Sequence, residues 1–282
     1  MSASTPSTGQ FRLDGQVAIV TGGAGRLGSE YACALAAAGA AVAACDLAAA
    51  PSPLVQRAID GGAAISFFSA DAGSRPAMDA VVADMARKYS APTILINNAG
   101  LGSSPADAAL ETGPFEDYPE SAWRAMLDSH LTTALVASQA FVASFKRARK
   151  ERNDLAGSIV NVSSTYGVVS PDQSMYAFRR RTGAEYFKPV GYSVAKSGVL
   201  NFTRWLAEYS APFGVRVNTL VPGGVQETGH APEFIAEYSR RTPLGRMARD
   251  DDYNGAVVFL ASSASAYMTG ATLVVDGGWT AR

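Results

Sequence analysis

The sequence predicts an α/β fold, a single doubly wound parallel sheet of about seven strands with helices on both faces. Three observations predict it. Short apolar runs without polar alternation recur along the 282 residues, as strands buried on both faces require. Segments with helical spacing separate those runs. A glycine cluster follows the first run, and a carboxylate closes the second.

The elements follow in order. Val17–Thr21 reads as the first strand and ends at the glycines. Ser29–Ala38 is Ala-rich and reads as helix. Ala41–Cys45 is a second buried strand, closed by Asp46. Ala64–Ser69 and Thr93–Asn97 are strands three and four, with a helix over Pro76–Lys88 between them. Ser121–Arg149 carries helical spacing through Trp123, Met126, Leu127, Leu131, Leu135 and Phe141. Ser158–Val162 and Val215–Leu220 are strands five and six, separated by a helix carrying Tyr192. Asp251–Ala261 reads as helix, and Thr272–Val275 as the last strand before Asp276-Gly277-Gly278. With no internal repeat and no linker-like composition break, residues 11–282 read as one domain. Residues 1–10 are polar and read as a flexible N-terminal tail.

Bulk composition excludes several function classes. Net charge is −1, which gives no electrostatic case for nucleic acid or an anionic membrane. No apolar run approaches the length of a membrane span. Residues 1–10 show neither a signal-peptide core nor an Arg-rich transit pattern. Cys33 and Cys45 lie in apolar stretches without metal-type spacing, so buried thiols in a reducing, cytoplasmic setting are expected. His130 and His230 form no ligand set, so no metal centre is expected.

Two stretches exceed a minimal α/β unit. Leu101–Glu120 is rich in Gly, Pro and acidic residues, and Ser170–Pro189 holds Arg179-Arg180-Arg181. Both follow strands and so emerge at the strand C-terminal edge, where open α/β sheets bind ligands.

The glycine cluster Thr21-Gly22-Gly23-Ala24-Gly25-Arg26-Leu27-Gly28 lies between the first strand and first helix. Glycines there let the backbone approach a pyrophosphate, and the helix N-terminus offers free N–H groups. Asp46 stands eighteen residues beyond Gly28. A carboxylate there accepts both hydrogen bonds of an adenosine ribose and repels a 2′-phosphate; a loop-start carboxylate in water is the alternative. Leu47 follows it rather than a basic residue, which also favours NAD over NADP.

Tyr192 and Lys196 are four apart and share one helix face. An ammonium near a phenol favours the phenolate and can pull its pKa from about 10 toward neutrality. Such a Tyr can give a proton to a carbonyl or take one from an alcohol.

Together these residues resemble the short-chain dehydrogenase/reductase family, over roughly Leu13 to Trp279. The matching motifs are the Thr21-Gly22…Gly28 turn, Asp71, Asn97-Asn98-Ala99-Gly100, Asn161-Val162-Ser163-Ser164, Tyr192…Lys196, Pro222-Gly223 and Asp276-Gly277-Gly278-Trp279. The resemblance implies a Rossmann-type sheet and an NAD(H)-dependent oxidoreductase interconverting a secondary alcohol and a ketone. Ser164 orients the substrate oxygen, Tyr192 is the general acid or base, and Lys196 tunes it and holds the nicotinamide ribose. Gly22, Gly25, Arg26, Leu27 and Gly28 bind the diphosphate side. Asp46 and Leu47 sit at the ribose, and Asp71 and Ala72 at the adenine. Asn98, Ala99 and Gly100 stand near the centre, with Pro222, Gly223 and Val225 beside the nicotinamide. Thr165, Tyr166, Arg179, Tyr186 and Gly224 are candidates for substrate contact. A homotetramer or homodimer is implied, joined through the two long helices and the Asp276–Arg282 end.

Departures from the family pattern leave alternatives open. Arg26 stands where the family has glycine and either meets the pyrophosphate or points to solvent. His130 takes the place of a family Asn; it relays a proton, adds a ring titrating near neutral pH, or packs inertly. Tyr192 lies 28 residues after Ser164, about twice the family norm, and the excess falls in Pro171–Pro189. That insert reads as a substrate lid or as a surface excursion against a neighbouring subunit. Arg179–Arg181 meet an anionic group or form a solvated turn. Glu227 occupies the usual place of a family Thr, and Thr228 follows it. Competing functions are an NADPH-dependent 3-oxoacyl-type ketoreductase and a catalytically silent cofactor-binding member. A polar, sugar-like or hydroxy-acid substrate is preferred.

Overall fold

The structure is a computed structural model that describes residues 8–102, 112–180 and 186–281. Seven strands form one parallel sheet: β1 (Val17–Thr21), β2 (Ala41–Asp46), β3 (Ile65–Ser69), β4 (Ile94–Asn97), β5 (Gly157–Val162), β6 (Val215–Pro222) and β7 (Thr272–Val275). Their order is β3-β2-β1-β4-β5-β6-β7. The order reverses between β1 and β4, and a crevice opens there at the strand C-terminal ends.

Successive strand residues enter opposite cores, and this explains why the strands show no polar alternation. Val17, Ile19, Ala43 and Leu95 pack with Met78, Phe141 and Phe145 on one face. Ala18, Val20, Val42 and Ile96 pack with Tyr31, Leu35 and Leu260 on the other. The first face is covered by α3 (Arg75–Lys88), α5 (Thr133–Glu151) and α8 (Val190–Ser210). The second is covered by α1 (Arg26–Ala37), α2 (Pro53–Asp60) and α10 (Asn254–Ala261).

Several boundaries move. The first helix begins at Arg26 rather than Ser29, directly on the glycine turn. The expected helix over Ser121–Arg149 is interrupted. α4 (Glu120–Leu127) runs into one π-helical turn at Asp128–Thr132, and α5 follows. Thr8–Phe11 forms a 3-10 turn, and Ser263 Oγ donates to Gln10 O at 3.1 Å. Gln10, expected in the tail, is thus tied to the domain by its backbone carbonyl while its side chain stays exposed. Among the described residues four α-helices have no counterpart in the sequence reading: α2, the short helices over Thr165–Val168 and Ala177–Arg180, and a helix over Pro232–Arg241 that bears on the site.

A buried polar chain crosses the sheet centre. Asn97 Nδ2 donates to Ser138 Oγ (3.0 Å) and Asn161 Oδ1 (2.8 Å). Asn161 Nδ2 and Thr219 Oγ1 both donate to Thr203 Oγ1, at 2.9 and 2.7 Å. These bonds join β4, β5, β6 and α8 beneath the crevice, with Asn97 Oδ1 left without a partner among the described residues.

Candidate active site

A cleft of about 1340 Å³ opens along the strand C-terminal ends. Every candidate residue of the sequence reading except Gly28 borders it. Gly28 lies beneath instead. A Cβ there would stand 2.0 Å from Gly22 O and 2.8 Å from Asn98 Nδ2. Its expected place at the cofactor is corrected: it lets α1 close onto the turn. Gly22 itself has φ +66°, which favours glycine.

The turn is tied to β4. Asn98 Nδ2 donates to Thr21 O (3.2 Å) and Gly22 O (3.3 Å). Thr21 Oγ1 accepts the N–H groups of Asn98 and Ala99. At the far end, Asp46 accepts from Ala24 N–H (2.9 Å) and Ala48 N–H (3.0 Å). The carboxylate thus braces the turn and keeps further lone pairs toward the cleft. Asp71 accepts from Gly73 N–H at 2.7 Å, next to Ala72. Leu47 is exposed.

The chemistry-bearing side chains gather at the ends of β5 and α8. Ser164 caps the short helix α6 (Thr165–Val168), accepting from Tyr166 N–H at 3.2 Å, and is hydrogen-bonded to Tyr192. Lys196 is buried, donates from Nζ to Val162 O at 2.9 Å, and stands 5.9 Å from the centre of the Tyr192 ring. Burial pushes the Lys196 pKa down to about 8. Burial also raises the Tyr192 pKa, and the bond with Ser164 opposes that rise. The expected fall of the phenol pKa toward neutrality is therefore corrected in the chain alone. Desolvation of the phenolate is the larger cause, and burial also weakens the charge of the Lys196 ammonium.

His130 sits in the π-helical turn. Its Nε2 lies 3.1 Å from Leu101 O, which identifies the Nε2–H tautomer. Its ring packs on Gly100, where a Cβ would stand 2.0 Å from Nδ1. Burial, then the charge of Lys196, drive its pKa down to about 2. Burial therefore favours the neutral imidazole over a ring titrating near neutral pH.

The substrate end was legible only in part. Thr165, Tyr166, Arg179, Tyr186 and Gly224 border it as expected. Lys188, His230, Phe234, Tyr238 and Met247 border it too and were missed. Lys188 Nζ stands 5.1 Å from the Tyr192 ring centre and 5.6 Å from that of Tyr166. The insert carries α7 (Ala177–Arg180) and packs on α9 (Pro232–Arg241). Tyr176 stacks on Phe234 at 5.6 Å and meets Tyr186 at 4.5 Å. Arg179 lies over the Tyr186 ring. Arg181 falls outside the described residues.

A family model described as enoyl-(acyl carrier protein) reductase matches residues 23–280. The chain belongs to the short-chain dehydrogenase/reductase family. It is 36% identical over 282 residues to D-threitol dehydrogenase of Mycolicibacterium smegmatis, covering 96% of this chain and 95% of that protein. A short-chain dehydrogenase from Leptospira borgpetersenii with bound NAD+ superposes with TM-score 0.81 at 30% identity, covering 99% and 98% of the two chains. A gluconate 5-dehydrogenase from Burkholderia cenocepacia, in complex with NADP and tartrate, gives TM-score 0.78 at 27% identity, covering 97% and 98%.

Arg26, where the family has glycine, borders the cleft with its side chain about one-third exposed. Its guanidinium is engaged by the Asp250 carboxylate, by Gln226 O and by Glu227, whose Oε1 is 3.4 Å from Nη1.

Proposed function

We propose that this short-chain dehydrogenase/reductase is an NAD(H)-dependent oxidoreductase interconverting a secondary alcohol and a ketone. The observation that carries the reading is the Tyr192 phenol, bonded to Ser164 and flanked by Lys196, in the same cleft as the glycine turn.

The residues fit a dinucleotide. Gly22 and Gly28 let the turn close on Asn98 and α1 where a Cβ would clash, and the α1 N-terminus presents backbone N–H groups to the cleft. Asp46 favours a free ribose over a 2′-phosphate. The residues beside it, Leu47, Ala48, Ala70, Asp71 and Ala72, bring no cation to the phosphate's place. A bound nicotinamide supplies the hydride acceptor or donor. The protein supplies orientation and the proton path. In oxidation Tyr192 Oη accepts the hydroxyl proton as the C–H hydride leaves; in reduction it returns that proton to the carbonyl oxygen. Ser164 Oγ orients that oxygen. Lys196 Nζ, held by Val162 O, stabilises the phenolate when it forms.

Substrate class follows from the walls. Lys188, Arg179 and His230 bring polar groups, and Tyr176, Phe234 and Tyr238 bring aromatic faces. That mixture suits a polyol, a sugar or a hydroxy acid. The D-threitol and gluconate relatives support it. The partner is that small molecule, with a cytoplasmic setting. A homodimer or homotetramer forms through α5 and α8, where Leu135, Val194, Trp205 and Tyr209 are exposed. Titration of NADH against NADPH, followed by a turnover screen of polyols, hydroxy acids and hydroxysteroids, tests the reading. Tighter NADPH binding, or no turnover of any alcohol, would sink it.

A further inference from the structure

We propose that Arg26, Glu227 and Asp250 form a clasp across the cleft, and that its opening sets how fast the dinucleotide leaves. The inference rests on the cofactor reading above and goes beyond it.

Two departures from the family pattern meet in space. Arg26 replaces a glycine in the turn after β1, and Glu227 replaces a threonine after β6. They are 201 residues apart in sequence, yet they pair with each other. Arg26 is the first residue of α1, and Gly25 caps it. Its side chain reaches over to the opposite wall. Nε meets the Asp250 carboxylate, one Nη meets Gln226 O, and the other meets Glu227. All three faces of the guanidinium fork are thereby used on the far wall, so Arg26 acts there as a strut rather than as a free cation.

The far wall needs such a strut. Its first residues are anchored from below. Tyr253 Oη donates to Gly223 O at 2.9 Å, and Tyr238 Oη accepts from Gly224 N–H at 2.6 Å. Gln226 N–H donates to Ala248 O at 2.9 Å. Beyond that point Gln226–Gly229 is exposed, and among the described residues the Glu227 carboxylate pairs with Arg26 and His230. His230 Nδ1 accepts from Glu227 N–H at 3.2 Å, and its ring meets Phe234 edge-on at 4.9 Å. The clasp therefore joins the glycine turn to the aromatic wall of the substrate end. A dinucleotide held along the cleft lies between the two parts that the clasp joins. Two carboxylates meet the one guanidinium, so the clasp bridges the open cleft and leaves no free cation at its mouth.

The pairs are about half exposed, so salt screens them. Their strength is that of a small surface network, enough for an effect on the order of fivefold. Stopped-flow measurement of NADH dissociation tests the clasp, with Arg26→Gly, Arg26→Gln, Glu227→Gln and Asp250→Asn. Each variant should speed release about fivefold or less. Combining Arg26→Gly with Glu227→Gln should add little to Arg26→Gly alone. Release from the wild type should quicken with sodium chloride, while release from Arg26→Gly stays flat. In the cofactor-free protein, amide exchange over 226–230 should quicken in all four variants. Faster release in the Arg26 variants alone, with Glu227→Gln and Asp250→Asn unchanged, would overturn the clasp and assign Arg26 to the diphosphate. Unchanged release in every variant would overturn it as well. Failure of the wild type to bind either nicotinamide dinucleotide would instead sink the cofactor reading.

Discussion

The imidazole of His130 stands edge-on to the ring of Tyr192, with centroids 5.6 Å apart and planes at 80°. A neutral His at this place is a packing wall for the phenol, not a second acid. Its Nδ1 has no hydrogen-bond partner among the described residues, so it is an acceptor close to the chemistry.

That arrangement has a consequence for acid stability. The His130 pKa falls from its ordinary 6.5 to about 2 in the folded chain. Below 6.5 the unfolded chain takes up a proton that the folded chain refuses. Its contribution to stability is therefore full above 6.5 and is lost as pH falls toward 2, with a slope of up to about 1.4 kcal/mol per pH unit. Urea unfolding at pH 7, 6, 5 and 4 should show a shallower acid slope in His130→Asn than in wild type. Equal slopes would mean that the ring is protonated when folded.

Tyr192 is expected to carry the proton. Tyr192→Phe should lower kcat by about 10²–10⁴ and leave the NADH dissociation constant within about twofold. Lys196→Met should harm both, since it removes the charge that stabilises the phenolate and a group placed toward the ribose. The raised phenol pKa sets the pH dependence: the acid form persists at neutral pH, so carbonyl reduction is favoured there and alcohol oxidation gains as pH rises. Oxidation and reduction profiles with the same slope would contradict this.

Asp46 acts through charge and through its brace on Ala24, and the two are separable. Asp46→Asn keeps an acceptor for Ala24 N–H and removes the charge. The ratio of NADH to NADPH affinity is expected to be at least about tenfold in wild type, or about 1.4 kcal/mol, and to shrink toward one in Asp46→Asn. Isothermal titration with both cofactors measures it.

The central strands were legible because they are apolar on both faces, the turn and loop motifs because they follow strands, and Tyr192 and Lys196 because they stand four apart on α8. What joins across the chain was not. The Arg26–Glu227 pair and the Asn97–Asn161–Thr203–Thr219 chain depend on register between strands far apart in sequence, and no local period encodes them. The π-helical turn at His130 was hidden because apolar spacing continues through it from Met126 to Phe141. α9 was missed because Phe234, Ile235 and Tyr238 pack on the insert and Trp279 rather than on the sheet.

Assembly follows from the same accounting. Trp205 is 63% exposed and stacks on Tyr209 at 5.4 Å, both on α8. An aromatic pair of that size left in water favours a second copy. Light scattering at micromolar concentration should report a dimer or tetramer, and Trp205→Glu should shift it to a smaller species. A monodisperse wild-type monomer would contradict the proposal.

The insert is expected to form a fixed wall of the substrate end. Arg241 on α9 pairs with Asp172 at 3.1 Å, donates to Ser174 Oγ at 2.8 Å, and pairs with Glu237 at 2.7 Å. One side chain thus fastens the start of the insert to the helix that carries Phe234 and Tyr238. Behind it, Met175 and Tyr176 are buried. Arg241→Gln should loosen Tyr176 from Phe234 and raise KM for the substrate by about three- to tenfold, the span of one or two weakened ion pairs. NADH affinity should stay within about twofold, because the cofactor half of the cleft does not touch Arg241. Asp172→Asn should act in the same direction and add little to Arg241→Gln. If KM stays within about twofold in both variants, less than roughly 0.4 kcal/mol of binding, the insert does not shape the substrate site.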